Sequence, residues 1–216
     1  MATVVSPVPP RAAGGDTLSL LRQSWAGLRV LLVLTALLGG VYPLVVTGVA
    51  QVVFPWLANG SLVAADGTRV RSADASVGSV LLGQPFDGPQ WFHPRPSAAG
   101  DGWDTLASGG SNLGPLNPDL VATIEERKAA IVAQEGVDPA LVPPDAVTAS
   151  ASGLDPEISP AYARLQVVRV ARERHLPAGE VAALVERHVV GRDLGFLGEP
   201  RVNVLRLNLA LQTMGS

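Results

Sequence analysis

Three histidines, one glycine-rich run and a scatter of serines are the residues of this chain whose types could do chemistry. His93, His175 and His188 have no HxxH or HExxH spacing, and the chain has no cysteine. A zinc site or a thiolate nucleophile therefore has nothing to be built from. His93 sits between Phe92 and Pro94 and reads as a hydrogen-bonded loop residue. Acyl transfer would need a serine, a base and an acid, and Ser111 with His93 is nominally available for it. Gly109-Gly110-Ser111 runs on into Asn112-Leu113, however, so there is no GxSxG turn to expose the hydroxyl. The run Ser108 to Gly114 could instead cradle an anion, because glycines let successive N–H groups converge on one point. It lacks the lysine of a GxxxxGK[ST] loop, and a structural loop clamped by its own side chains is the plainer reading.

The element that must position all of this is an uncharged run, residues 30–54, VLLVLTALLGGVYPLVVTGVAQVVF. About 25 residues at about 1.5 Å each make a helix of about 37 Å, against a hydrocarbon core of about 30 Å. A soluble core helix would carry a polar stripe, and this run has none. Ala36, Gly40, Pro43 and Thr47 fall at i, i+4, i+7 and i+11 and are read as a small-residue face for packing against another helix in lipid. A signal peptide cut before Gln51 is the competing reading, but the run exceeds the usual 7–15-residue apolar core of such a leader. Arg11, Arg22 and Arg29 precede the span against Asp16 alone, which predicts a cytoplasmic N-terminus and an extracytoplasmic remainder. The expected organisation is a disordered cytoplasmic tail over 1–25, a transmembrane helix over 26–54, and one α/β (α+β) extracytoplasmic domain over 55–216 with short strands and about three helices.

Composition narrows the function further. The chain has 216 residues and a formal charge of −3, and the part beyond the span carries 13 basic against 18 acidic side chains. That balance argues against nucleic acid, since phosphate binding needs a basic face. About 160 residues suffice for one domain with a core.

Along the domain, Trp56 is expected at the membrane edge. Asp66-Gly67 predicts a hairpin with strands at 61–64 and 68–71, and a third strand is expected within 79–86. Residues 91–118 are loop by every punctuation signal. Asn117-Pro118 starts a helix that Gly136 stops, with Leu120, Ile124 and Ile131 buried and residues 125–128 solvated. A second loop, 137–158, ends at Ser159-Pro160, which starts a helix to His175 burying Tyr162, Leu165 and Val168, with Arg169, Arg172 and Arg174 near its negative end. A short helix over 178–190 comes next. The alternation of Leu205, Leu207, Leu209 and Leu211 favours a final strand, with a short buried helix as the alternative.

Taken together, VYPLVVTG (41–48), QVVFPWLANGSL (51–62), GSVLLGQPF (78–86), WFHPRPS (91–97), SGGSNLGPLNP (108–118), VPPDAVTASASGLDPEISP (142–160), QVVRVARER (166–174) and LGFLGEPRVNVLRLNLAL (194–211) resemble the C-subunit family of the Kdp potassium-transporting P-type ATPase. The resemblance covers the chain from the span to the C-terminus; the N-terminal tail and the polar insert near Val137 depart from the family's compact pattern. It implies a non-catalytic subunit of the bacterial cell membrane. Its partners would be a channel-like potassium-binding subunit, the P-type ATPase subunit and a small single-span subunit. It also implies a catalytic chaperone that raises the ATPase subunit's affinity for ATP in a ternary complex, with ATP contacts assigned to Ser108, Gly109, Gly110, Ser111 and Asn112. The charge bias places those five residues on the side away from ATP, which favours an indirect effect on the pump. A membrane-anchored ligand-binding module and a hydrolase using Ser111 are the readings that compete with it.

Overall fold

The computed structural model describes residues 14–214, and the chain divides into two units, Met1–Ala58 and Asn59–Ser216. The expectations for residues 1–13 lie outside the described residues.

The first unit is helical from Gly14 onward. Helix α1 (Gly14–Ala36) passes through a π-helical turn (Leu37–Val41) into α2 (Tyr42–Val53), and a short α3 (Pro55–Ala58) comes after it. Residues 14–25, assigned above to the tail, thus belong to the helix. Thr17–Val53 is long and apolar enough to cross a membrane, and none of its most apolar window is buried within the protein. Its 37 residues would span about 55 Å, so only part of it can lie in hydrocarbon. Arg22 and Arg29 mark the end that does not, and the Arg29 guanidinium sits 5.2 Å from the centre of the Trp25 ring.

The π turn has a cause in Pro43. Proline in a helix lacks an N–H and its ring strikes the carbonyl one turn back, and a wider turn relieves both. The N–H of Tyr42 accordingly reaches the carbonyl of Leu37, five residues earlier. One extra residue in the turn rotates everything beyond it by about 100° relative to an unbroken helix. Pro43 and Thr47 remain in line with each other, but Ala36 is turned away from them. A Cβ on Gly40 would meet nothing within 4 Å in this chain.

The second unit is α+β, with helices packed around two small antiparallel sheets. In the first sheet β1 (Leu62–Val63) pairs with β2 (Gly78–Ser79). The Asp66-Gly67 turn forms as expected, with Asp66 Oδ1 accepting from the Thr68 amide (2.9 Å) and hydroxyl (2.7 Å). Its returning strand shrinks to a single bridge, Val63 to Arg69, and the strand expected over 79–86 to Gly78–Ser79. Gly83 explains the early stop, because its backbone lies so close to the Asp155 carbonyl that a Cβ there would be 2.7 Å away.

Helix α4 (Pro118–Glu135) has the predicted boundaries. Asn117 Oδ1 accepts from the Asp119 amide at 2.8 Å, and Gly136 ends the helix in the left-handed conformation at φ 66°. A short α5 (Pro144–Val147) precedes β3 (Glu157–Ile158). The expected 160–175 helix is two: α6 (Pro160–Leu165) and α7 (Val167–Glu173), hinged at Gln166. Ser159 caps α6 by accepting from the Tyr162 amide at 3.0 Å, while its own amide and hydroxyl donate to Asp145. The break at Gln166 rotates the buried face of α7, so Val168 is 65 % exposed, whereas Val167, Val170, Ala171 and Arg169 are buried.

Helix α8 (Ala178–His188) leads into β4 (Val189–Val190), which pairs with the central strand β5 (Arg201–Asn203) of a sheet ordered β3-β5-β4. Residues 204–214 are a helix, α9 (Val204–Met214), not the favoured strand. Val204, Leu205, Leu207, Asn208, Leu209 and Leu211 are all buried, so the segment is apolar almost all round and its alternation of leucines carries no face information. Asn203 starts it, accepting from the Arg206 amide at 3.1 Å. The core lies between α6, α7, α8, α9 and the second sheet, with Val170, Val181, Val185, Val202, Leu207 and Leu211 fully enclosed.

Candidate functional site

The loop expected over 91–118 begins as a tightly held segment without regular secondary structure. Its first residues lie against α7 and α9, and buried side chains satisfy their backbone groups. Asn208 of α9 accepts from the Phe92 amide and donates to the Phe92 carbonyl, both at 2.9 Å. Gln166 does the same for His93, accepting at 2.7 Å and donating at 3.1 Å. These two amides stand in for the neighbouring strand of a sheet. Phe92 is thereby fixed at 0 % exposure in the core.

Arg169 anchors the same segment from α7. Its side chain is 1 % exposed and donates to the carbonyls of Pro89 and Trp91 (2.8 Å to the latter), to Gln166 Oε1 (2.8 Å) and to Glu135 Oε1 (2.8 Å). The Glu135 side chain is 2 % exposed and its second oxygen, Oε2, has no partner. Burial pushes the Glu135 carboxyl upward, against the opposing pull of Arg169. Arg174 completes the grip, with its guanidinium 4.3 Å from the centre of the Trp91 ring and a bond to the Gln90 carbonyl.

His93 has both ring nitrogens occupied. Nε2 lies 2.9 Å from the Gly88 carbonyl, so it carries the proton, and Nδ1 faces the Gln134 amide nitrogen at 3.4 Å. With this arrangement it is not available as a base for Ser111. Burial lowers its affinity for a proton below the ordinary 6.5. The unfolded chain therefore takes up the proton first as the pH falls, and the stability that neutral His93 contributes is present above about pH 6.5 and lost as the pH drops through the folded value. The urea midpoint of the full-length protein in detergent should fall between about pH 7.5 and about pH 5, and His93→Gln should flatten that slope. An unchanged slope in the variant would show that another group sets it.

The run Ser108–Asn112 is strapped to the neighbouring 150–153 stretch. The Ser108 hydroxyl and the Gly109 amide both donate to the Ser152 carbonyl, at 3.0 Å and 2.9 Å. A Cβ on Gly110 would lie 3.2 Å from the Ala151 carbonyl, and Asn112 is left-handed at φ 54°. The stretch it rests on is bordered by Arg95, whose guanidinium is committed to Asp155 (2.9 Å) and to the Thr148 carbonyl. Ser97 ties the same region together, donating to the Gly153 carbonyl and accepting from the Ala99 and Trp103 amides. A phosphate cradle needs converging free amides and a cation, and here two donors face a carbonyl and the bordering cation is neutralised. The Ser108 hydroxyl and the Gly109 amide are thus spent on Ser152, while Ser111 and Asn112 stay exposed. Among the described residues no group of three or more His, Asp or Glu could hold a metal ion.

The residues that organise this region, Gln166, Arg169 and Asn208, are ones that sequence reasoning passed over. Arg169 reads from sequence only as a cation near the negative end of its helix. Asn208 carried a signal, since one amide inside VLRLNLALQ must find partners if the run is buried.

The family model for the K+-transporting ATPase, c chain (KdpC), matches residues 24–213, from within α1 to α9. The chain belongs to the KdpC family. Among its relatives, the potassium-transporting ATPase KdpC subunit of Kineococcus radiotolerans is 58 % identical over 195 residues, covering 90 % of this chain and 95 % of that protein. The KdpC subunits of Beijerinckia indica and Gemmatimonas aurantiaca are each 56 % identical, over 84 % and 88 % of this chain and 88 % and 94 % of their own. The KdpC match spans both the apolar helix and the domain, so the two units belong to the family together.

Proposed function

We propose that this chain is the accessory, non-catalytic subunit of an ATP-driven potassium-import complex of the bacterial cell membrane. It is anchored by residues 30–54, with its N-terminus in the cytoplasm and residues 55–216 outside. The anchor packs against other membrane helices of the complex through the opened turn at Gly40 and Pro43 and through Thr47, with Ala36 serving a second face. The domain braces the channel-like potassium-binding subunit, and its effect on ATP use by the P-type ATPase subunit passes through the helix bundle as a bias between two states of the pump. The small single-span subunit completes the set of partners.

One observation carries the indirect mechanism: the Ser108 and Gly109 donors are turned onto Ser152. The excess of arginine before the span supports the orientation that the mechanism needs. The test is the ATP dependence of potassium-stimulated hydrolysis by the purified complex. A Ser108→Ala/Asn112→Ala double variant should leave the KM for ATP within about twofold of wild type, because these side chains touch no nucleotide. A KM raised about tenfold with kcat unchanged would restore the direct contact that the family resemblance assigns to them.

A further inference from the structure

Beneath the held segment the domain opens a concavity of about 380 Å3, bounded by Phe86, Pro94, Trp103 and Ile131 on its apolar sides. That is within the size range of small-molecule sites, and a mostly apolar lining with a few placed polar groups is their usual make-up. Two polar groups qualify. Tyr162 is only 5 % exposed, its amide is taken by Ser159, and its hydroxyl has no hydrogen-bond partner among the described residues. The hydroxyl is not one of the polar atoms sealed from solvent, so it remains reachable, and the cavity is what its side chain lines. Burial raises the phenol, which therefore stays protonated and can only donate to an anion. Arg127 of α4, read from sequence as solvated, is half-buried against the cavity. Its Nη1 holds the Val147 carbonyl at 3.1 Å, leaving Nε and Nη2 without partners among the described residues.

The remaining charged groups at the cavity are Arg95, bound to Asp155, and Asp87, which is exposed at the rim; His93 has its proton on Gly88. Both free donors thus line one cavity, and of the carboxylates that act on Tyr162, Glu135 is bonded to Arg169 through Oε1 and Asp145 to Ser159. A buried hydroxyl left unpaired costs stability unless something fills the role of acceptor.

We infer that this cavity binds a small organic acid, its carboxylate received by the Arg127 guanidinium and the Tyr162 hydroxyl and its aromatic or branched apolar body resting against Phe86 and Trp103. An ionised acceptor shared by a guanidinium and a phenol is the charge-assisted arrangement these donors lack. The inference concerns a ligand of the domain itself and does not depend on the pump mechanism above.

The test is calorimetric titration of the full-length protein in detergent with phenylacetate, and with phenylacetamide and sulfate as controls. Phenylacetate should bind saturably, and phenylacetamide about tenfold or more weaker, since it offers no charge to the guanidinium. Tyr162→Phe deletes a hydroxyl that holds nothing in the fold, so it should stay folded and weaken phenylacetate about tenfold. Arg127→Gln should do at least as much. Ala130→Trp, at an exposed α4 position on the cavity wall, should block binding without touching either donor. No saturable heat from wild type at about 10 mM phenylacetate, equal binding of the amide, or unchanged affinity in the folded Tyr162→Phe protein would each overturn the assignment.

Discussion

Replacing Arg169 with methionine should lower the unfolding free energy of the protein by about 3–5 kcal/mol, the cost of leaving a buried charge without its partner. Methionine keeps the unbranched stem but ends short of the guanidinium, so the loss is mainly one of bonding with a smaller contribution from volume. Glu135 would be left with neither oxygen paired, and the carbonyls of Pro89 and Trp91 would lose their donor. A second substitution separates these contributions. Where an ion pair is isolated, replacing both partners with apolar groups is often neutral. Here Arg169→Met/Glu135→Met should recover only part of the loss, because the Pro89, Trp91 and Gln166 oxygens stay unsatisfied. Urea midpoints of the full-length chain in detergent read both numbers, and a double variant as stable as wild type would show that the backbone contacts contribute nothing.

The second large effect belongs to Asn208. Asn208→Leu preserves the apolar fit of α9 but orphans the Phe92 amide and carbonyl, each at about 1–3 kcal/mol, for a total of about 2–5 kcal/mol. Asn208→Asp separates acceptor from donor, since a carboxylate can still receive the Phe92 amide but cannot return a bond to its carbonyl, and it also buries a charge. It should be destabilised at neutral pH and recover as the pH falls and the carboxyl gains a proton to donate. Native-state hydrogen exchange at the Phe92 and His93 amides measures the same coupling locally, and their protection in wild type should match the global stability. Rapid exchange there would mean that the segment is not part of the cooperative core.

Both effects concern residues whose partners a linear reading could not see, and the reason is physical. Local signals announced themselves: Asn117, Pro118 and Gly136 bound α4 as their chemistry dictates, and Asp66-Gly67 turns the chain where it should. The uncharged 30–54 run likewise declared a helix, although Pro43 introduced a π turn that spacing arithmetic on an ideal helix could not anticipate. Long-range satisfaction was illegible. Nothing in QVVRVARER says that its first arginine points inward, because that depends on Glu135, thirty-four positions earlier, and on carbonyls about eighty positions earlier. The C-terminal leucines misled for the opposite reason: a helix buried on nearly every side carries no periodic signature. The glycine-rich run was visible at once, but two of its donors face Ser152, which sequence could not show.

The indirect mechanism turns on which side of the membrane the domain occupies. Since the chain has no cysteine, a single Leu106→Cys at a position 96 % exposed gives a unique thiol on the domain surface. Labelling by a membrane-impermeant maleimide in intact cells expressing the whole complex reads the topology directly. An extracytoplasmic domain predicts full labelling before the inner membrane is opened; labelling only after it is opened would place the domain with the nucleotide and contradict the indirect mechanism.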